Sequence, residues 1–383
     1  MSVTAARGFL ACGVAAGIKD SGARDLALVV NRGPSRAAAG VFTSNRVQAA
    51  PVRWSRRALA DGRISAVVLN SGGANACTGQ AGAVDALLTA EHTARVVDAP
   101  PSEVAVCSTG LIGVRLPMDR LMAGITAAGG RLSPEGGQDA AVAIKTTDSV
   151  HKTAVASRSG WTVGGMAKGA GMLAPGLATM LVVLTTDADV SAAGLDAALR
   201  SAVRTTFDRV DSDGCMSTND TVLLLASGAS GAAPEPEEFA AAVHAVCLDL
   251  ARQLVADAEG ASKEIEVTVV GAATEDDAVE VGRSVARNNL LKCALHGEDP
   301  NWGRVLSAIG TTSAAFDPDR LDVAINDVWV CRNSAAGESR DKVDLSGRLV
   351  TITVDLCSGD SSAVIWTNDL TAEYVHENSA YSS

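Results

Sequence analysis

Short β-rich runs alternating with alanine-rich helical stretches predict an α/β chain, and a change of texture after Glu264 adds a smaller C-terminal α+β domain. The length of 383 residues suits two or three domains and is enough to bury a sizeable core. Hydrophobic residues make up 47% of the chain but aromatics only 3%, so Val, Leu, Ile and Ala must fill that core.

The elements follow in order. Segments 26–31, 64–70 and 103–107 are continuous apolar runs of strand length, the pattern of strands covered on both faces. Segments 82–98, 117–127 and 138–145 read as helices, and 153–166 reads as a hairpin turning at Ser159-Gly160. A loop punctuated by glycine and proline, 168–178, then runs straight into a strand over 179–187. Helix 191–206 and strand 221–227 come next, followed by a long helix, 236–258, whose Pro-Glu-Pro-Glu-Glu opening suits a helix N-terminus. In the last third, strands 264–271, 321–330, 349–356 and 362–367 surround helix 276–288. The stretch 228–236 reads equally as a linker or as a loop inside one domain.

Composition excludes several function classes. The formal net charge is −12 and no Lys/Arg cluster exceeds short pairs such as Arg56-Arg57, which argues against nucleic acid as a partner. The first residues lack a basic region followed by an apolar run, and no stretch of about 18 uninterrupted apolar residues occurs. A cytoplasmic protein that neither enters nor crosses a membrane is therefore expected. The eight cysteines are widely spaced without a CxxC pair and the five histidines are scattered, so no metal site is expected. The glycine run 164–171 places its lysine wrongly for a phosphate loop, in which Gly-Lys precedes Ser or Thr.

The stretch 168–187 carries the chemistry. A threonine opening a strand is ordinarily explained by β propensity. A second reading starts from the loop before it, which can hold a peptide bond in unusual geometry. Were the Ala178–Thr179 bond cut, Thr179 would hold a hydroxyl nucleophile and a free α-amine together. An amine with an ordinary pKa of about 7.7–8.0 could serve that hydroxyl as general base.

The segment Lys168-Gly-Ala-Gly-Met-Leu-Ala-Pro-Gly-Leu-Ala-Thr-Met-Leu181 closely resembles the self-processing segment of the ornithine acetyltransferase (glutamate N-acetyltransferase) family. Further blocks resembling that family occur in order along nearly the whole chain: 70–76, 107–113, 211–221, 257–260, 297–304 and 377–383. The resemblance implies a layered α-β-β-α core with an N-terminal-nucleophile-like Thr179 on a central strand. It also implies self-cleavage into an α chain, 1–178, and a β chain starting at Thr179. The core domain would continue over 179–260, and the small domain would occupy 261–383, with a tail returning to the active site.

The implied reaction moves the acetyl group of N2-acetyl-L-ornithine to L-glutamate in arginine biosynthesis, by a ping-pong route through acetyl-Thr179. No cofactor is implied; acetyl-CoA is a possible second donor, and an α2β2 assembly of the two chains is the family's expectation. The resemblance assigns Thr109 and Gly110 to an oxyanion hole, where fixed donors stabilise the charge developing on a carbonyl oxygen. It assigns substrate binding to Thr146, Lys168, Thr179, Glu259, Asn378 and Ser383, with Lys168 suited to a carboxylate and Glu259 to an amine. Taken singly, each of these residues has an ordinary reading as turn, solvated loop, helix end or frayed terminus. Gly176 departs from the bulkier polar residue common in relatives and bears on cleavage speed. Two competitors stand beside this reading: a self-processing aminopeptidase or amidase using the same threonine, and an uncleaved metabolite-binding protein.

Overall fold

The computed structural model describes residues 2–174 and 180–380. The chain divides into two compact units, one gathering residues up to Asp208 with Cys215–Asp257, the other Arg209–Gly214 with the chain from Ala258 on. The stretch 228–236 lies inside the first unit.

In the first unit the order is β1 (Phe9–Val14), β2 (Leu26–Asn31), β3 (Ala38–Phe42), α1 (Ala50–Ala58), β4 (Ala66–Ser71), α2 (Gly79–Val97), β5 (Val104–Thr109), α3 (Met118–Gly129) and α4 (Gly137–Ala143). It continues with β6 (Lys152–Arg158), β7 (Trp161–Lys168), β8 (Leu181–Thr186), α5 (Ala192–Thr205), β9 (Thr221–Ala226) and α6 (Pro236–Ala256). Two sheets form, ordered β1-β2-β4-β5 and β3-β9-β8-β7-β6. Val29, Val67, Leu69 and Cys107 from the first meet Met166, Leu181, Val183, Leu223 and Leu225 from the second in one buried cluster, which also takes in Ala140 and Ile144. Helices α1, α2 and α3 cover the outer face of the first sheet, and α5 and α6 cover that of the second. This is the layered α-β-β-α core. Because both faces are covered, β2, β4, β5, β8 and β9 are buried at every position, and each carries four or five consecutive apolar residues rather than an alternating pattern.

Helix α6 is long and apolar enough to cross a membrane, but Phe239, Val243, Val246, Leu250 and Leu254 are buried in this unit, where the helix packs on β6, β7 and α5. It ends at Ala256, two residues before the predicted end. The predicted hairpin is present as β6–β7, with Arg158 paired to Trp161 across the two-residue turn.

The second unit contains β10 (Glu264–Ala272), α7 (Glu275–Ala286), α8 (Asn289–His296), α9 (Trp302–Ile309), β11 (Asp322–Ile325), β12 (Val328–Arg332), β13 (Ala335–Ala336), β14 (Leu349–Asp355), β15 (Ser361–Asn368) and α10 (Ala372–Ala380). Its sheet is ordered β13-β12-β11-β14-β10-β15. Strands β10, β14 and β15 alternate buried and half-buried residues, as expected of strands with a single apolar face. Helices α7, α8 and α9 begin at Thr274, Asn288 and Asn301, whose side chains accept the N–H three residues on. The strand expected over 321–330 is instead a hairpin. Asn326 (φ 45°) and Asp327 (φ 64°) both take the left-handed conformation, which forms a two-residue turn between β11 and β12.

Candidate active site

Strand β5 ends where the chemistry is expected. It runs parallel to β4 with Ser71 opposite Thr109, and the Thr109 carbonyl accepts the N–H groups of Gly72 (2.9 Å) and Gly73 (3.0 Å). Gly110 follows at φ +125°, and a Cβ there would lie 2.7 Å from the Gly73 nitrogen, so glycine is required. A buried amide and hydroxyl network fixes this turn. Asn70 Nδ2 donates to the Gly73 carbonyl (2.9 Å), and Ser108 Oγ donates to Asn70 Oδ1 (2.6 Å). Asn219 donates from Nδ2 to the carbonyls of Ala74 (2.6 Å) and Ser108 (2.8 Å).

Lys168 reaches the same place from the second sheet. It closes β7 opposite Leu181 of β8, is 2% exposed, and donates from Nζ to Thr109 Oγ1 at 3.3 Å. Thr109 and Lys168, 59 positions apart in sequence, thus meet through the two-sheet packing. The loop reading of Lys168 is corrected: it ends a strand and is buried.

Thr146 enters through a neighbour that the sequence did not single out. Asp148 Oδ2 accepts the Thr146 N–H (2.9 Å), while Oδ1 accepts the Gly169 N–H (2.7 Å) and Lys152 Nζ (2.7 Å). Burial alone would raise this carboxyl's pKa, but Lys168 and Lys152 together with the Gly169 N–H hold it well below the usual carboxylate range. Lys152, fully buried, also donates to Asp257 Oδ2 (2.6 Å). The one sequence signal was the hydroxyl-and-carboxylate group Thr146-Thr147-Asp148 after a helix; a buried lysine at the head of a strand gives none.

Strand β8 is anchored at its head. Met180, itself buried, donates its N–H to Asp220 Oδ1 (3.0 Å), and its carbonyl accepts the Thr221 N–H (3.1 Å). Asp220 is fully buried.

In the second unit, Glu259 and Asn378 meet: Asn378 Nδ2 donates to Glu259 Oε2 at 2.9 Å and to the Tyr374 carbonyl at 3.0 Å. The final residues are helical up to Ala380 rather than frayed, and Thr371 ties this helix back by donating to the Gly260 carbonyl (2.6 Å). Gly260 lies at φ +61°, and a Cβ there would sit 2.2 Å from the Tyr374 nitrogen. Ala178, Thr179 and Ser383 lie outside the described residues. Among the described residues, no group of His, Cys, Asp and Glu could hold a metal ion.

A strand-end hydroxyl and glycine turn, held by a buried hydrogen-bond network and joined by a buried lysine from the facing sheet, is an arrangement suited to stabilising charge that develops on a carbonyl oxygen, as acyl transfer requires. The chain belongs to the ArgJ family, whose model matches residues 10–383. It is 72% identical to the arginine biosynthesis bifunctional protein ArgJ of Streptomyces avermitilis and 70% identical to that of Streptomyces coelicolor, over the full length of each. Among solved structures, ornithine acetyltransferase from Mycobacterium tuberculosis in complex with ornithine is 56% identical, with a TM-score of 0.45 over 47% of this chain and 96% of that one.

Proposed function

We propose that the chain cuts itself between Ala178 and Thr179 and then carries the acetyl group of N2-acetyl-L-ornithine to L-glutamate on the Thr179 hydroxyl. As a member of the ArgJ family it is an acyltransferase of arginine biosynthesis. Its relatives' description as bifunctional supports acetyl-CoA as a second acetyl donor. The observation that carries the site reading is the buried contact of Lys168 with Thr109, one strand away from β8.

In self-cleavage, Thr179 Oγ attacks the Ala178 carbonyl carbon and the C–N bond breaks, with the hydroxyl proton ending on the departing nitrogen. Water then hydrolyses the ester, which releases the Ala178 carboxylate and frees the Thr179 hydroxyl beside the amine liberated in the first step. In turnover, Thr179 Oγ gives its proton to that amine and attacks the acetyl carbon. The Thr109 hydroxyl and the Gly110 N–H stabilise the oxyanion. The tetrahedral adduct collapses as the amine passes its proton to the α-nitrogen of ornithine, which leaves. The α-amine of glutamate then attacks the acetyl ester and loses its proton by the same route, which frees Thr179. Lys168 offers its charge to a substrate carboxylate, Thr146 a hydroxyl, and Glu259, aligned by Asn378, a carboxylate for the ornithine amine; Ser383 completes the contacts. These steps use the chain's own groups and the two substrates, without a cofactor. We further assign the enzyme to the cytoplasm and its two chains to an α2β2 assembly, which light scattering tests.

The deciding experiment is the denatured mass of fresh protein, followed by acetyl transfer from N-acetylornithine with and without glutamate. Two fragments of about 18 and 21 kDa are expected, from 38.8 kDa divided at residue 178 of 383. A single 38.8 kDa species would instead favour a binding protein. Acetate release independent of glutamate would favour an amidase.

A further inference from the structure

Asp220 has a place in the structure that the mechanism above does not use. It directly precedes β9, and its carbonyl accepts the Thr43 N–H (3.0 Å), so its backbone is fixed. Oδ1 accepts the N–H of Met180, the peptide nitrogen bonded to the carbonyl carbon of Thr179. Oδ2 is buried without a hydrogen-bond partner. A fully buried carboxylate with one unsatisfied oxygen is strongly disfavoured as an anion, whereas a carboxylic acid in the same place is tolerated.

We propose that Asp220 positions the nucleophile: Oδ1 anchors the Met180 amide directly downstream of Thr179, and the buried carboxyl does so as a neutral acid that places no negative charge beside the Thr179 amine. The proposal rests on Thr179 being the nucleophile. Its logic concerns the base. The Thr179 nitrogen is separated from the Met180 nitrogen by three covalent bonds, which bounds its separation from whatever holds Met180, and a carboxylate within about 4–6 Å of an amine raises the amine's pKa by about 1–3 units, which would keep it protonated and useless as a base near neutrality. A neutral carboxyl supplies the acceptor without the charge.

The surroundings agree. Burial pushes the Asp220 carboxyl well above its usual range, against the Met180 N–H, the Ser217 hydroxyl and the charge of Lys168 from β7, while Asp208 from the turn after α5 pushes the same way as burial.

The test compares Asp220→Asn, Asp220→Ala and Thr179→Ala with the parent chain, following fragment appearance by mass and the pH profile of kcat/KM for acetyl transfer. Asp220→Asn keeps an acceptor for Met180 and is neutral. It should lower the rate by no more than about tenfold and leave the pKa of the acid limb within about 0.3 unit of the parent. A fall of one unit or more in that pKa would show that Asp220 is ionised in the parent and would overturn the proposal. Asp220→Ala removes the anchor and should slow cleavage at least about tenfold; cleavage at the parent rate would also overturn it. Should Asp220→Ala not fold, as judged by its melting transition, Asp220→Ser takes its place with the same expectation. Cleavage of Thr179→Ala would sink the nucleophile assignment itself. An uncut Thr179→Ala beside a normally processed Asp220→Ala would sink only the role of Asp220.

Discussion

Replacing Asp148 by Asn separates the charge of this residue from its shape. Both carboxylate oxygens accept: Oδ1 from Lys152 and Gly169, each at 2.7 Å, and Oδ2 from Thr146 at 2.9 Å. An amide has one accepting oxygen, so in either orientation its NH2 faces a donor. The loss is at least one hydrogen bond to a charged acceptor, about 1.5–3 kcal/mol, plus an unneutralised buried cation. Lys152 keeps Asp257 at 2.6 Å, which softens the second cost. The total should fall near the low end of the ~3–5 kcal/mol typical of a broken buried pair. With about 2–4 °C per kcal/mol for a unit of this size, Tm should drop by roughly 6–12 °C. Scanning calorimetry of both proteins reads this directly. The sign with pH is also fixed. Because the folded-state pKa of Asp148 is depressed, its contribution is complete at any pH above the ordinary carboxylate value and is lost only as pH falls through the folded value. The gap should thus be equal at pH 8 and pH 6 and close only in acid. A gap below about 1 kcal/mol at neutrality, or one that narrows between pH 8 and pH 6, would refute the reasoning. Acetyl transfer should fall by about 10², since Thr146 and Gly169 lose a common anchor.

Two further outcomes follow. Thr109→Val keeps the carbonyl that accepts from Gly72 and Gly73 but removes the hydroxyl, so kcat should fall about 10²–10³ with KM little changed and the melting transition intact; an equal loss in the melt would point to a purely structural threonine. Gly260→Ala drives a methyl into the Tyr374 nitrogen and should displace α10 together with Asn378. Steady-state assays should show KM for N-acetylornithine raised about 5–10-fold with kcat less affected, and an unaltered KM would detach that helix from substrate binding.

Elements were legible where burial wrote its own pattern. The covered strands β2, β4, β5, β8 and β9 each carry four or five consecutive apolar residues, and the long helix α6 announces itself by its acidic, proline-bearing start. Strand β3, Ala-Ala-Gly-Val-Phe, has too little side chain to show a period, and α1 begins at Ala50-Pro51, a dipeptide that also reads as a turn. The β11–β12 turn was missed although Asn326-Asp327 is a pair that tolerates left-handed geometry. For the site, spacing along the chain carried little. Motif resemblance singled out Thr109 and Lys168 for different roles, and only the packing of the two sheets brings them into contact. Asp148, Lys152 and Asp220 owe their roles to burial, which no local pattern in a single sequence reports.

The strand order β3-β9-β8-β7-β6 gives the proposed cut a kinetic consequence. Strands β3, β6 and β7 precede Ala178, while β8 and β9 follow Thr179, so the two products interleave within one sheet and share both a β7–β8 and a β3–β9 ladder. The precursor folds as a single chain, in a first-order process. Its products, once unfolded, must find each other in a second-order one whose rate falls with dilution. Heating and cooling the cut protein should therefore trace a hysteresis loop that widens as the sample is diluted, whereas an uncut variant should retrace its path. The proposed cleavage would thus act as a ratchet: the sheet would assemble once, under the guidance of a connection that its own chemistry then erases.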